Sequence, residues 1–74
     1  MKIYITFGQV HAHSVNGKTF DKDSVAAISC NSYADGRKKA FEYFDNKFHN
    51  AYVEEDINEK LLSYFPRGII EVDV

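Results

Sequence analysis

Four short stretches of this chain alternate their side chains with a period of two, and one longer stretch between the second and third repeats its apolar residues with a helical period. In Lys2–Phe7, Ile3, Ile5 and Phe7 fall on one side and Lys2, Tyr4 and Thr6 on the other. Ser24–Cys30 sets Ala26, Ile28 and Cys30 against Val25, Ala27 and Ser29, and the small alanines suit a face that receives a helix. His49–Glu54 places Ala51 and Val53 opposite Asn50 and Tyr52, and Gly68–Val74 sets Ile70, Val72 and Val74 against Ile69, Glu71 and Asp73. This pattern predicts a small α+β domain, a mostly antiparallel four-stranded sheet with the main helix packed on one face. Its 74 residues leave room for that single domain, 1–74, and no second one.

The main helix is expected to start at Ser32, whose hydroxyl suits an N-cap, with Asp35 placing a carboxylate at the positive end of the dipole. Tyr33, Ala40, Phe41, Phe44 and Phe48 form its apolar stripe, and Asp45-Asn46 ends it, Asn46 taking the left-handed cap. Gly36 reads as a cost there, about 1 kcal/mol relative to Ala. Asp56 followed by Glu59 predicts the start of a short second helix carrying Ile57, Leu61 and Leu62 and stopped by Pro66. Gln9–Asp23 carries the turn signal Asn16-Gly17 and is either a hairpin tip or an ordered loop. The expected order is β-β-α-β-α-β.

Composition excludes several classes. A chain that is 45% hydrophobic, with one Pro and four Gly, is neither disordered nor fibrous. No apolar run nears the roughly 20 residues of a membrane span, and the first residues are too polar for a signal peptide, so no membrane partner is expected. One cysteine rules out an internal disulfide and points to a reducing, cytoplasmic setting. Net charge is −2, split as +1 over residues 1–37 and −3 over 38–74. Without a basic stripe to meet phosphates, nucleic-acid binding ranks third among the functional readings.

Chemistry-bearing residues are sparse. His11 and His13, two apart in extended backbone, read first as a solvated polar loop next to a turn; they would suit joint coordination of Cu²⁺, Ni²⁺ or Zn²⁺ if His49, Asp21 or Asp23 joined them. Cys30 reads as a small buried hydrophobe, or as a thiolate if the following helix N-terminus or a base activates it. A metal-binding or thiol enzyme using His11, His13 and Cys30 is accordingly the second functional reading. No nucleophilic triad, phosphate loop or apolar carboxylate pair is visible, so no catalytic residue and no cofactor are expected. Glu54-Glu55-Asp56 reads as a solvated turn, and Arg37-Lys38-Lys39 as a solvated helix face. Tyr64-Phe65-Pro66-Arg67-Gly68 forms a stiff, amphipathic corner: either Phe65 and one ring face of Tyr64 close the edge of the core with Arg67 in solvent, or its residue types, enriched in interface hot spots, meet a partner.

Thr6-Phe7-Gly8-Gln9, Asn31-Ser32-Tyr33 followed by Ala40-Phe41-Glu42-Tyr43-Phe44, and Tyr64-Phe65-Pro66-Arg67-Gly68 together resemble a family of small, mostly uncharacterised proteins encoded by bacteriophages and prophages. The sequence departs from that pattern at Gly36, where a better helix former would sit, and at Asn46, where glycine usually caps the helix. The resemblance implies a phage accessory protein in the bacterial cytoplasm and transfers no catalytic residues. By analogy of size and origin, it implies action by binding a host component such as a defence complex, in the manner of anti-CRISPR proteins.

The first functional reading is thus an interaction protein, with Tyr64, Phe65, Arg67, Tyr4, Tyr52 and Ile69 as its contact residues. One sheet face, carrying Tyr4, Thr6, Val25, Ala27, Tyr52 and Ile69, is too apolar for water alone. This face or an edge strand is expected to be covered by a second copy in a homodimer or by the partner protein.

Overall fold

The computed structural model describes residues 1–8, 12–15, 17–45 and 47–72. They form β1 (Lys2–Thr6), β2 (His13–Val15), β3 (Lys18–Phe20), β4 (Ser24–Ser29), α1 (Tyr33–Phe44), β5 (Asn50–Val53), a 3-10 turn (Glu54–Asp56), α2 (Glu59–Leu62) and β6 (Gly68–Glu71). The four alternating stretches build one sheet in the order β5-β1-β4-β6. β1 is antiparallel to both neighbours, Ile5 lying opposite Ala26 and Ala51. β6 returns parallel to β4 after the long crossover through α1, β5 and α2, with Ile70 opposite Ala26. The expected α+β class holds.

Two further strands lie within the Gln9–Asp23 stretch, which settles on the hairpin. Val15 pairs with Lys18, and Gly17 at the tip has φ of +77°, a conformation that a Cβ resists. Phe20 at its end is fully buried. The hairpin therefore closes one end of the core rather than waving from it.

α1 begins as expected. The Asp35 backbone N–H donates to Ser32 Oγ at 3.1 Å, and the Asn31 N–H donates to Asp35 Oδ2 at 3.0 Å. The short Asp side chain reaches the residue before the cap instead of the cap itself, which is the departure from a full capping box. At the other end the Asp45 N–H donates to the Phe41 carbonyl at 2.9 Å, and the positive φ, +55°, falls on Asp45. Asn46, assigned that role from sequence, lies outside the described residues.

The buried stripe of α1 is Gly36, Ala40 and Phe44, not the line through Tyr33 and Phe41, which are exposed. Gly36 explains the rotation. A Cβ there would sit 2.7 Å from Ile3 Cδ1 and 2.9 Å from Cys30 Sγ, so the helix can lie this close to β1 and β4 only without a side chain. The residue that looked like a helix defect is the contact point between the layers.

Two clusters result. On the α1 face, Ile3, Ile5, Phe7, Phe20, Ala26, Ile28, Ala40 and Phe44 form a closed core. Within it Phe7 meets Phe44 edge-on at 4.9 Å and Phe20 meets Phe44 at 5.6 Å, the T-shaped geometry that ring quadrupoles favour. On the opposite face Tyr4, Val25 and Ala27 are buried beneath Tyr52, Ile57, Leu62 and Phe65. The expectation that a second copy or partner must cover this face is corrected: α2 and its flanks cover most of it. The total surface, 4554 Å², matches the roughly 4,700 Å² expected of a free-standing globular protein of this mass.

Each sheet edge is met at one residue by the chain's own side chains. The Met1 and Cys30 backbones exchange two hydrogen bonds, so strand alternation turns the Ala51 N–H and carbonyl outward on β5. That N–H donates to Asn50 Oδ1 at 2.9 Å, and the Tyr33 hydroxyl approaches the carbonyl at 3.5 Å. On β6 the Lys18 ammonium donates to the Glu71 carbonyl at 2.6 Å, while Lys2 pairs with the Glu71 carboxylate. That carboxylate raises the Lys2 pKa, chiefly through the hydrogen bond.

Candidate interaction surface

The Tyr64–Gly68 corner is built by consecutive turns. α2 is capped by Asn58, whose Oδ1 accepts the Leu61 N–H at 2.8 Å. Asp56, expected to start this helix, belongs instead to the preceding 3-10 turn. The Tyr64 N–H then donates to the Leu61 carbonyl at 3.1 Å and the Phe65 N–H to that of Leu62 at 3.0 Å. Gly68 N–H closes a β-turn onto the Phe65 carbonyl at 2.9 Å, with Pro66 fixing φ at the second position and Gly68 supplying φ of +77° at the fourth.

Arg67 clamps this corner to the hairpin side of the molecule. Its backbone N–H donates to the Asp23 carbonyl at 2.8 Å, and its Nη1 donates to the Thr19 carbonyl at 3.0 Å and lies 3.3 Å from an Asp21 carboxylate oxygen. Expected as an interface residue, Arg67 is engaged internally. Asp21 and Asp23, offered as further metal ligands, are held in the same turn, where Asp21 Oδ1 accepts the Asp23 N–H and Asp23 pairs with Lys22.

Held this way, Tyr64 projects outward; at 68% it is the most exposed large hydrophobic side chain among the described residues. It forms a ridge between two hollows. A groove of about 260 Å³ is lined by Tyr52, Asp56, Asn58, Lys60, Leu61 and Tyr64. A wider hollow of about 500 Å³ is lined by Phe7, Gly8, Lys22, Asp23, His49, Tyr64 and Phe65. Tyr52 is half-buried, and its hydroxyl accepts from Asn50 Nδ2 at 3.3 Å.

The remaining expected contact residues divide. Tyr4 is buried at 7% exposure, and Phe65 packs over it, so both are floor rather than contact surface. Burial pushes the Tyr4 hydroxyl pKa up, and the nearby Glu54 carboxylate adds to the effect. Ile69 is exposed on β6 but shares neither hollow. Leu61 and Asn58 were missed as groove residues. Their signal was available, since Asn58-x-x-Leu61 is an N-cap spacing that the neighbouring Asp56-x-x-Glu59 obscured.

The alternative chemistries are placed as follows. His11 lies outside the described residues. His13 is stacked among aromatic rings, 5.6 Å from Phe7 and 5.3 Å from Phe44, and its Nε2–H donates to the Lys47 carbonyl at 2.8 Å. Among the described residues no three His, Cys, Asp or Glu side chains converge as metal ligands. Cys30 is buried at 8% exposure beneath Gly36, its thiol directed at the Met1 carbonyl at 3.7 Å. Arg37 is less solvated than expected, lying 5.9 Å and 5.8 Å over the Tyr33 and Phe41 rings. That aromatic patch is already met by its own cation.

No described helix is long and apolar enough to cross a membrane. Comparison with protein-family models, with curated proteins and with solved structures finds no match to this chain.

Proposed function

We propose that this protein acts by binding another protein through the ridge formed by Tyr64 and the hollows beside it. The carrying observation is the exposure of Tyr64 on a corner that three backbone hydrogen bonds and the Arg67 clamp hold in place. A rigid, amphipathic ring of this kind gives contact area at little entropic cost, the property that makes Tyr frequent among interface anchors. The phage-family resemblance supplies a setting: an accessory protein that occupies the surface of a host component, a defence complex among the choices.

A photo-crosslinking amino acid in place of Tyr64 tests this reading in bacterial lysate. A discrete adduct is expected there, and none from the same reporter in place of Glu42 on the exposed side of α1. Equal labelling from the two positions, or none from either, overturns it.

A further inference from the structure

The surroundings of the smaller groove select a partner chemistry. Residues 54–60 carry Glu54, Glu55, Asp56, Glu59 and Lys60, a net charge of −3 in seven positions. All five side chains are exposed. Elsewhere the carboxylates of Glu71, Asp23, Asp35 and Asp21 are matched by Lys2, Lys22, Lys39 and Arg67, and Glu42 and Asp45 stand apart from the acidic run on and after α1. Glu55, Asp56 and Glu59 form no ion pair with another described residue. The carbon surface of Tyr52, Leu61 and Tyr64 therefore shares its groove with Asp56 and with one cation, Lys60, while Glu55 and Glu59 adjoin these two in the chain and leave the segment net negative.

Each common occupant can be weighed against that. A nucleic acid or an anionic lipid surface would bring phosphates to the carboxylates. A second copy on a two-fold axis through the groove would set −3 against −3, the like-charge juxtaposition that interfaces avoid. At about 260 Å³ the groove also falls below the roughly 300–1,000 Å³ of small-molecule sites. It suits one or two apolar side chains from a larger partner.

Building on the protein-binding reading, we propose that the groove between β5 and α2 seats a cationic, amphipathic segment of a partner protein. An aliphatic or aromatic side chain of that segment enters between Tyr52, Leu61 and Tyr64, and its Lys or Arg residues face Glu55, Asp56 and Glu59.

Fluorescence anisotropy with three labelled synthetic peptides tests this on the full chain: an amphipathic Lys/Leu peptide, a twin with every Lys replaced by Glu, and a twin with every Leu replaced by Ser. The Lys/Leu peptide is expected to bind saturably, more weakly as salt rises from about 50 to about 300 mM. The Glu twin should not bind, and the Ser twin should bind about tenfold more weakly. Tyr64→Ala, and separately the pair Asp56→Lys with Glu59→Lys, should each weaken the Lys/Leu peptide by about tenfold, while Glu42→Lys leaves it unchanged. Absence of binding, equal binding of the Glu twin, or equal sensitivity to Glu42→Lys and to the groove variants overturns the proposal. If the position-64 reporter captures a partner while the Lys/Leu peptide fails, only the cationic assignment falls. If the peptide binds as expected and the reporter captures nothing, the groove chemistry stands and the wider reading falls.

Discussion

The two faces of the sheet are covered by the same chain to different depths. Beneath α1, Phe7, Phe20 and Phe44 are 0–5% exposed and locked edge to face. On the opposite face the buried apolar layer is Tyr4, Val25 and Ala27, and the covering residues Ile57, Leu62 and Phe65 are half-buried. A twelve-residue helix can present three turns to a sheet, while a four-residue helix flanked by turns presents one. The first arrangement makes a core; the second makes a thin cover whose outer side remains for contact.

The largest expected effect tests that difference at its deep end. Phe44→Ala should cost about 3–5 kcal/mol, because it opens a cavity in the aromatic cluster that neighbours on three elements cannot all fill. At this chain length, such a loss leaves the variant largely unfolded in a urea titration. Gly36→Ala should cost about 2 kcal/mol, overpacking against Ile3 and Cys30 outweighing the roughly 1 kcal/mol gained in helix propensity. A stabilised Gly36→Ala protein would show that α1 can lift from the sheet without penalty. Phe65→Ala should cost only about 1–2 kcal/mol, in line with its partial burial. If it proves as damaging as Phe44→Ala, the second face is a core in its own right and the comparison fails.

Two smaller effects sharpen the picture. Thr6 is 2% exposed, and its hydroxyl has no hydrogen-bond partner among the described residues. Thr6→Val should therefore stabilise the protein by about 1 kcal/mol, read as a higher urea midpoint. Asp35 is held below its ordinary pKa of 3.8, first by the Asn31 N–H and then by Lys39. A depressed carboxylate stabilises the fold above its unfolded-state pKa, and that contribution is lost as the pH falls through the folded value. The urea-midpoint difference between the wild type and Asp35→Asn should be steady above about pH 5 and shrink below about pH 4.

Period-two alternation located all four strands of the main sheet, because large aliphatic and aromatic residues of the α1-side core alternate with smaller or more polar ones on the other face, and Ser32 announced α1 through cap chemistry that is local in sequence. The buried side of that helix was misread because aromatic spacing favours Tyr33 and Phe41, while the deciding residue, Gly36, has no side chain for a pattern to register. The start of α2 was misplaced by competing caps two residues apart. Arg67 illustrates the limit for the candidate surface: its type suits an interface, and only the fold reveals that Thr19 and Asp21 already hold it. Tyr64 was legible because a ring beside a proline turn in a chain this small has little interior left to enter.

The side chains closing β5 and β6 matter most when copies of the chain crowd together. A sheet with two open edges is a unit for linear polymerisation, each copy templating the next. An incoming strand would here have to displace Asn50 and Tyr33 at one edge and the Lys18 ammonium at the other. Each such displacement opposes edge-to-edge growth. The exposed ridge at Tyr64 therefore sits beside a sheet whose edges resist added strands at the points these side chains hold.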